Sequence, residues 1–222
     1  MSFLHQSFAV FLKDFRQEWR SRFGLSTVLA FIVSSLFVVL FSLRADQLAT
    51  SVQSGLLWII ILFASLTALA RVFVSESERG TLDLLRMNAP SSAVYAGKLV
   101  YNFLFTLIIT VVTVTLFVFM VNLTVANPGL MALVLILGAS GLAGATTLLG
   151  ALVSQAPSKG SVFPVLALPL LVPLILLLVR LTHTALAQTG DMAPWNDLAA
   201  LLGFSGVTIS ASLVLFDNLW ED

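Results

Sequence analysis

Apolar residues run through this chain in stretches far longer than a soluble core uses. Six of them, 25–43, 55–74, 97–122, 129–153, 162–181 and 198–216, are almost wholly hydrophobic. Each is close to the roughly 20 residues that carry a helix across the hydrocarbon core of a bilayer. The expected fold is an all-α membrane protein with six transmembrane helices, a single domain over residues 1–222. Asn127-Pro128-Gly129 marks the turn between the third and fourth spans. Pro164, Pro169 and Pro173 fall inside the fifth.

The first 24 residues follow another period. Leu4, Phe8, Phe11, Phe15, Trp19 and Phe23 recur at spacings of three and four, with Lys13, Asp14, Arg16, Gln17 and Arg20 between them. This predicts an amphipathic helix whose aromatic face and basic flank suit the membrane interface, with Gly24 as the break before the first span.

The pattern is interrupted once more, between the second and third spans, by "SESERGTLDLLRMNAP" at 75–90. Glu76, Glu78, Arg79 and Arg86 do not belong in lipid, where each charge costs about 2.5–3.5 kcal/mol at the centre of a span. Gly80 permits a change of direction. Thr81 can cap a helix, Asp83 sits in its first turn, and Leu82 and Leu85 share a face by i,i+3 spacing. Asn88 and Pro90 end it. The result is a helix of about two turns, roughly 10 Å long. A helix so short is not stable alone in water and must pack on the chain's own surface or on a partner. Its leucine knob within a charged rim suits a groove on another protein.

Composition agrees with the membrane reading. The 222 residues are 59% hydrophobic and 10% charged, where a soluble domain is about a quarter charged. Net charge is zero, so nothing points to nucleic acid. With no cysteine, disulfides, thiolate metal sites and covalent haem attachment are all excluded. The basic residues are unevenly placed. Lys13, Arg16, Arg20, Arg22, Arg71, Arg79, Arg86, Lys98 and Lys159 lie on or at the edge of the side that holds both termini; the opposite loops hold Arg44 and Arg180. This asymmetry puts both termini and the 75–90 insert in the cytoplasm. The apolar residues at Met1 precede the first charges and lack a small-residue cleavage site, so no cleavable signal peptide is expected.

Chemistry is sparse. No nucleophile–base pair, metal cluster or nucleotide motif is present. Gly97-Lys98 lacks the earlier glycine and the following Ser or Thr of a phosphate loop. No acidic residue falls inside a predicted span, which argues against a proton- or cation-coupled carrier. His5 and His183 are the only histidines. His183, just beyond the fifth span, is the better candidate haem ligand, although a histidine beside a span end is ordinarily interfacial. Trp19, Trp58 and Trp220 fall near the predicted interfaces, where Trp belongs. The fourth span carries small-xxx-small pairs, Ser140/Gly144 and Gly141/Ala145, which suit close helix packing within one copy or between two. Pro169 and Pro173, one turn apart, suit either a hinge lining a cleft or a static kink.

An amphipathic N-terminal helix, six spans and an E-x-x-x-G-T-L-x-x-L segment (Glu76, Gly80, Thr81, Leu82, Leu85) resemble permeases of the ABC-2 type. "LVSQAPSKGSVFPVLALPLLVPLILLLV", the chain length and the short tail narrow the resemblance to the CcmB-type subunit of bacterial cytochrome c maturation, the haem exporter protein B family. The resemblance implies a multi-pass subunit of the bacterial inner membrane. It implies a cytoplasmic ABC ATPase subunit as partner, with ATP handled there, and the 75–90 insert as coupling helix. It also implies a second permease copy, a haem-handling membrane protein, a small single-span protein and surrounding lipid. The chain itself would be no enzyme. Haem would be cargo, or a haem-loaded periplasmic chaperone would be released. Two alternatives stay open: a passive scaffold for the maturation proteins, or a permease for another substrate.

Overall fold

The computed structural model describes residues 3–21, 23–44, 48–78, 87, 89–154, 159–187 and 194–221. Among these residues there are seven long helices and no strand: α1 (Phe3–Ser21), α2 (Phe23–Leu43), α3 (Thr50–Glu78), α4 (Ser91–Val121), α5 (Pro128–Ser154), α6 (Lys159–Leu186) and α7 (Trp195–Glu221). Six of them, α2 to α7, are long and apolar enough to cross a membrane. The spans outrun the hydrophobic stretches at several ends, α3 by about a turn on each side. Backbone hydrogen bonding continues a helix past the point where lipid stops demanding apolar side chains, so hydropathy marks the lipid-facing part only.

α5 is the axis of the bundle. Its residues 141–150 are buried on every side, and it packs against α3, α4, α6 and α7. Small side chains make this possible, because without them four neighbours could not close on one helix. A Cβ on Gly141 would come within 2.9 Å of Leu174 on α6 and 3.1 Å of Ser205 on α7, and one on Gly144 within 2.9 Å of Ile209. Ser140 lies 3.4 Å from Ser205, oxygen to oxygen, and Ala145 is fully buried. In this chain all four small residues thus sit at contacts with the chain's own helices. α2 is peripheral, resting mainly on α3.

The turn before α5 is built by its own sequence. Asn127 Oδ1 accepts from the Leu130 N–H at 3.0 Å, capping a helix whose first residue, Pro128, has no N–H to satisfy. The Asn127 N–H in turn donates to the Ala185 carbonyl at the end of α6, at 2.9 Å. α4 ends at Asn122 in the left-handed region, φ 56°, a conformation asparagine tolerates better than most residues.

Trp58 corrects an expectation. It does not sit at a membrane interface but is wholly enclosed by protein. Its indole N–H donates to Thr182 Oγ1 on α6 at 2.7 Å, and its ring lies where a Cβ on Gly138 would stand, 2.6 Å away. The partner hydroxyl explains the position: a buried indole needs an acceptor, and α6 supplies one. Thr182→Val keeps the shape and removes that acceptor. The expected cost is about 1–3 kcal/mol, read as a lowered thermal midpoint of the protein in nanodiscs. Trp19 is exposed on α1.

Candidate functional site

The densest polar construction in the structure lies where α1 meets the start of α4. Residues of α1 present two faces about 100° apart around the helix axis. On one, Phe8, Phe11, Phe15 and Trp19 form a ladder of rings with centroids 6.0–6.1 Å apart. Leu4, Phe8, Phe15 and Trp19 on this side are exposed, as an interfacial helix requires. The other face, with Ser7, Val10 and Asp14, docks on α4.

Gly97 admits the crossing. A Cβ there would fall 2.6 Å from the Ser7 carbonyl oxygen and 2.8 Å from the Val10 Cβ. The next residue, Lys98, is 1% exposed, and its Nζ lies 3.4 Å from Asp14 Oδ2. Asp14 Oδ1 is 3.3 Å from Lys13 Nζ. Lysine is almost never buried so completely without a partner of opposite charge, so Asp14 is what lets Lys98 stay there. Tyr101, Phe105, Tyr95 and Phe216 extend the joint. Tyr101 stacks on Phe105 at 5.8 Å, and the Tyr95 ring lies 5.6 Å from that of Phe216 on α7. Ser91 and Asp217 are hydrogen-bonded at the same end. The end of α7, the start of α4 and the protein-facing side of α1 thus form one cluster.

Glu18 fixes the elbow into α2. Its Oε1 accepts from the Leu25 N–H at 2.8 Å, one of the free donors of the first turn, where the helix dipole favours an anion. Gly24 is not the break before the first span, because it lies inside α2, which begins at Phe23. Gly24 instead gives Glu18 its place: a Cβ on it would stand 2.7 Å from the carboxylate oxygen.

Asp14, Glu18, Gly97 and Lys98 were not singled out as site residues by the sequence. A signal existed for two of them, since Asp14 and Glu18 are acidic residues one helical turn apart on an otherwise aromatic and basic helix. Two substitutions separate the roles within the pair. Asp14→Leu takes from Lys98 the carboxylate it rests against in a site almost without water, with an expected loss of about 2–3 kcal/mol. Lys98→Met leaves Asp14 its contact with Lys13 and is expected to cost markedly less. Thermal unfolding of the two variants, with the double variant beside them, measures the difference.

The residues singled out by sequence are dispersed. Glu76 and Glu78 fall in the last turn of α3, whereas Arg79, Gly80, Thr81, Leu82, Leu85 and Arg86 lie outside the described residues. What the structure does describe is where the segment re-enters: at α4, seven residues ahead of Lys98. Pro164, Pro169 and Pro173 all lie within α6, which is helical from Lys159 to Leu186. Pro169 and Pro173 are exposed on its outer face, so in a single chain they line no interior cleft. His183 is exposed in the last turn of α6. Among the described residues no group of three or more His, Asp or Glu could hold a metal ion. A groove of about 420 Å³ opens between α2 and α3, lined by Phe31, Val38, Leu56, Ile59, Phe63 and other apolar residues, with Ser34 and Ser35 as its polar groups. None of the residues lining it is a haem ligand type.

Six bilayer-length helices, four of them packed on a fifth rich in small residues, with an amphipathic helix docked at one end, define an all-α, multi-pass membrane protein. The family model described as CcmB protein matches residues 5–216, and the chain belongs to that family. Among curated proteins it is similar to Heme exporter protein B of Rhodobacter capsulatus, 28% identical over 204 residues, 91% of this chain and 92% of that protein. It is similarly related to Heme exporter protein B of Bradyrhizobium diazoefficiens, 27% identical over 197 residues, 87% of this chain and 88% of that protein.

Proposed function

We propose that this chain is the membrane subunit of an ATP-driven haem export system in bacterial cytochrome c maturation. The observation that carries the reading is the family match, which covers nearly the whole chain, together with relatives whose names state haem export. On this reading a separate cytoplasmic ABC ATPase subunit binds and hydrolyses ATP, and residues 75–90 are the coupling helix on which it acts. α3 and α4 flank the segment in sequence and carry its displacement into the bundle as rigid rods. The dock of α1 on Gly97 and Lys98 supports this, because it stiffens α4 just beyond the point where the force would enter.

Two copies of the chain would supply the two membrane halves, in the inner membrane with both termini in the cytoplasm. A haem-handling membrane protein and a small single-span protein would complete the assembly. The work done would be haem export or the release of a haem-loaded periplasmic chaperone. We favour the mechanical form of the reading, in which ATP hydrolysis remodels the complex. Affinity purification of the tagged chain from membranes tests it. The ATPase subunit is expected to come down in equal number with the permease; a chain purified repeatedly without any ATPase would overturn the reading in favour of a passive scaffold.

A further inference from the structure

Hydroxyl side chains in these helices have a standard way of satisfying themselves. On α3, Ser54 and Thr67 donate to the carbonyl one turn earlier. On α4, Thr110, Thr113 and Thr115 do the same, and on α5 so do Thr146 and Thr147. Ser65 on α3 and Thr106 on α4 do not. Both are fully buried, and the Oγ of Ser65, the Oγ1 of Thr106 and the Oδ1 of Asn102 have no hydrogen-bond partner.

The register of the helices brings these three atoms near one level of the bundle. Asn102 Nδ2 donates to Thr147 Oγ1 at 2.7 Å, which fixes the register of α4 against α5. Thr106, one turn along the antiparallel α4, is then level with about residue 143 of α5. Trp58 against Gly138 fixes the register of α3, which runs in the same direction as α5, and puts Ser65 level with about residue 145. Ser65, Thr106 and Asn102 therefore fall within about one helical turn, roughly 5 Å, of one another along the bundle axis. α3, α4 and α5 all pack on one another, and on α5 this level is small and buried: Ala143, Gly144 and Ala145.

Three orphaned polar atoms near one level of a three-helix junction point to an occupant. We propose that the α3–α4–α5 junction holds an ordered internal water. It donates to Asn102 Oδ1 and to one hydroxyl and accepts from the other, the three bonds typical of a buried water. One amide oxygen and two hydroxyls, with no carboxylate, match the hydrogen-bonding needs of a neutral water. The site lies between the two spans that flank residues 79–86, so it is a polar contact that any relative movement of α3 and α4 would break and remake. The proposal stands apart from the transport reading.

The sign of a stability change tests it. In a hydrated junction Thr106→Val takes a partner from the water, and the thermal midpoint of the protein in nanodiscs is expected to fall by roughly 2–4 °C; Ser65→Ala is expected to lower it as well. In a dry junction both substitutions remove an unsatisfied hydroxyl, and a raised midpoint in either variant would overturn the proposal. A density map of the wild-type protein at water-resolving resolution is the second measurement. A peak within hydrogen-bond reach of Ser65, Asn102 and Thr106 supports the site, and direct hydrogen bonds among the three side chains without a peak refute it.

Discussion

Leucine in place of Gly97 is expected to lift α1 off the bundle. Even the first carbon of a side chain at this position would stand 2.6 Å from a backbone oxygen of α1 and 2.8 Å from the Val10 Cβ. Backbone cannot step aside as a flexible side-chain end can, so α1 itself must move. Overpacking a tight contact typically costs about 1–3 kcal/mol. Here the displacement also pulls Asp14 from Lys98, now 3.4 Å apart, and exposes a lysine charge to a site shaped to exclude water. A helix held by one face loses that face as a unit. The chain contains no cysteine, which makes the measurement clean. A single cysteine at Val10, 6% exposed in the docked helix, should react slowly with a water-soluble maleimide in wild-type background and at least tenfold faster beside Gly97→Leu. Equal rates in both backgrounds would show that α1 does not depend on this crossing.

The second large effect is expected in the segment that leads into the same end of α4. On the proposed coupling reading, Leu82 and Leu85 are the apolar contacts that the 75–90 segment offers the ATPase subunit. Seating one leucine in a groove is worth about 1.5–3 kcal/mol, and Leu82→Asp forfeits this while placing a carboxylate against apolar surface. At about 1.4 kcal/mol per tenfold, association with the ATPase subunit should weaken by roughly 10- to 100-fold. Gly80→Pro acts differently. It removes a backbone N–H, fixes φ near −65° and restricts Arg79 before it, so the segment's exit from α3 is redirected even if its leucines still reach the groove. Binding is then retained in part while transmission fails. Both variants keep all six spans intact, since no residue of the apolar stretches changes.

How far the sequence announced all this differs from part to part, for physical reasons. Lipid imposes a length and an apolarity on every crossing, so the six spans were legible from hydrophobic runs alone, and the turn before α5 was legible from Asn127-Pro128-Gly129; the Asn127 cap itself was not. The ends of α3, α4 and α6 were not, because a helix continues beyond lipid wherever its backbone remains bonded. The amphipathic period of α1 disclosed its aromatic face. It could not disclose what the other face meets, because Asp14 and Lys98 are 84 residues apart, and no local period encodes a pairing at that range. Gly97-Lys98 lacks the rest of a phosphate-loop motif, and its use is steric and electrostatic, a notch and a buried charge. Trp58 was assigned to the interface by the ordinary habit of tryptophan, and a distant threonine on α6 overrides that habit. The small residues of the fourth span were recognisable as packing positions, while the identity of their neighbours required the fold.

The central claim, that the 75–90 segment couples this bundle to a cytoplasmic motor, is tested most directly by ATP hydrolysis in the assembled complex. The wild-type chain, Leu82→Asp and Gly80→Pro would each be reconstituted with the ATPase subunit in nanodiscs, and turnover measured against the ATPase subunit alone. The predicted result is a wild-type complex whose turnover differs severalfold from that of the free ATPase, with both variants returning to the free value. Identical turnover in all three complexes, with equal amounts of ATPase bound, would contradict the coupling role and leave the segment a loop.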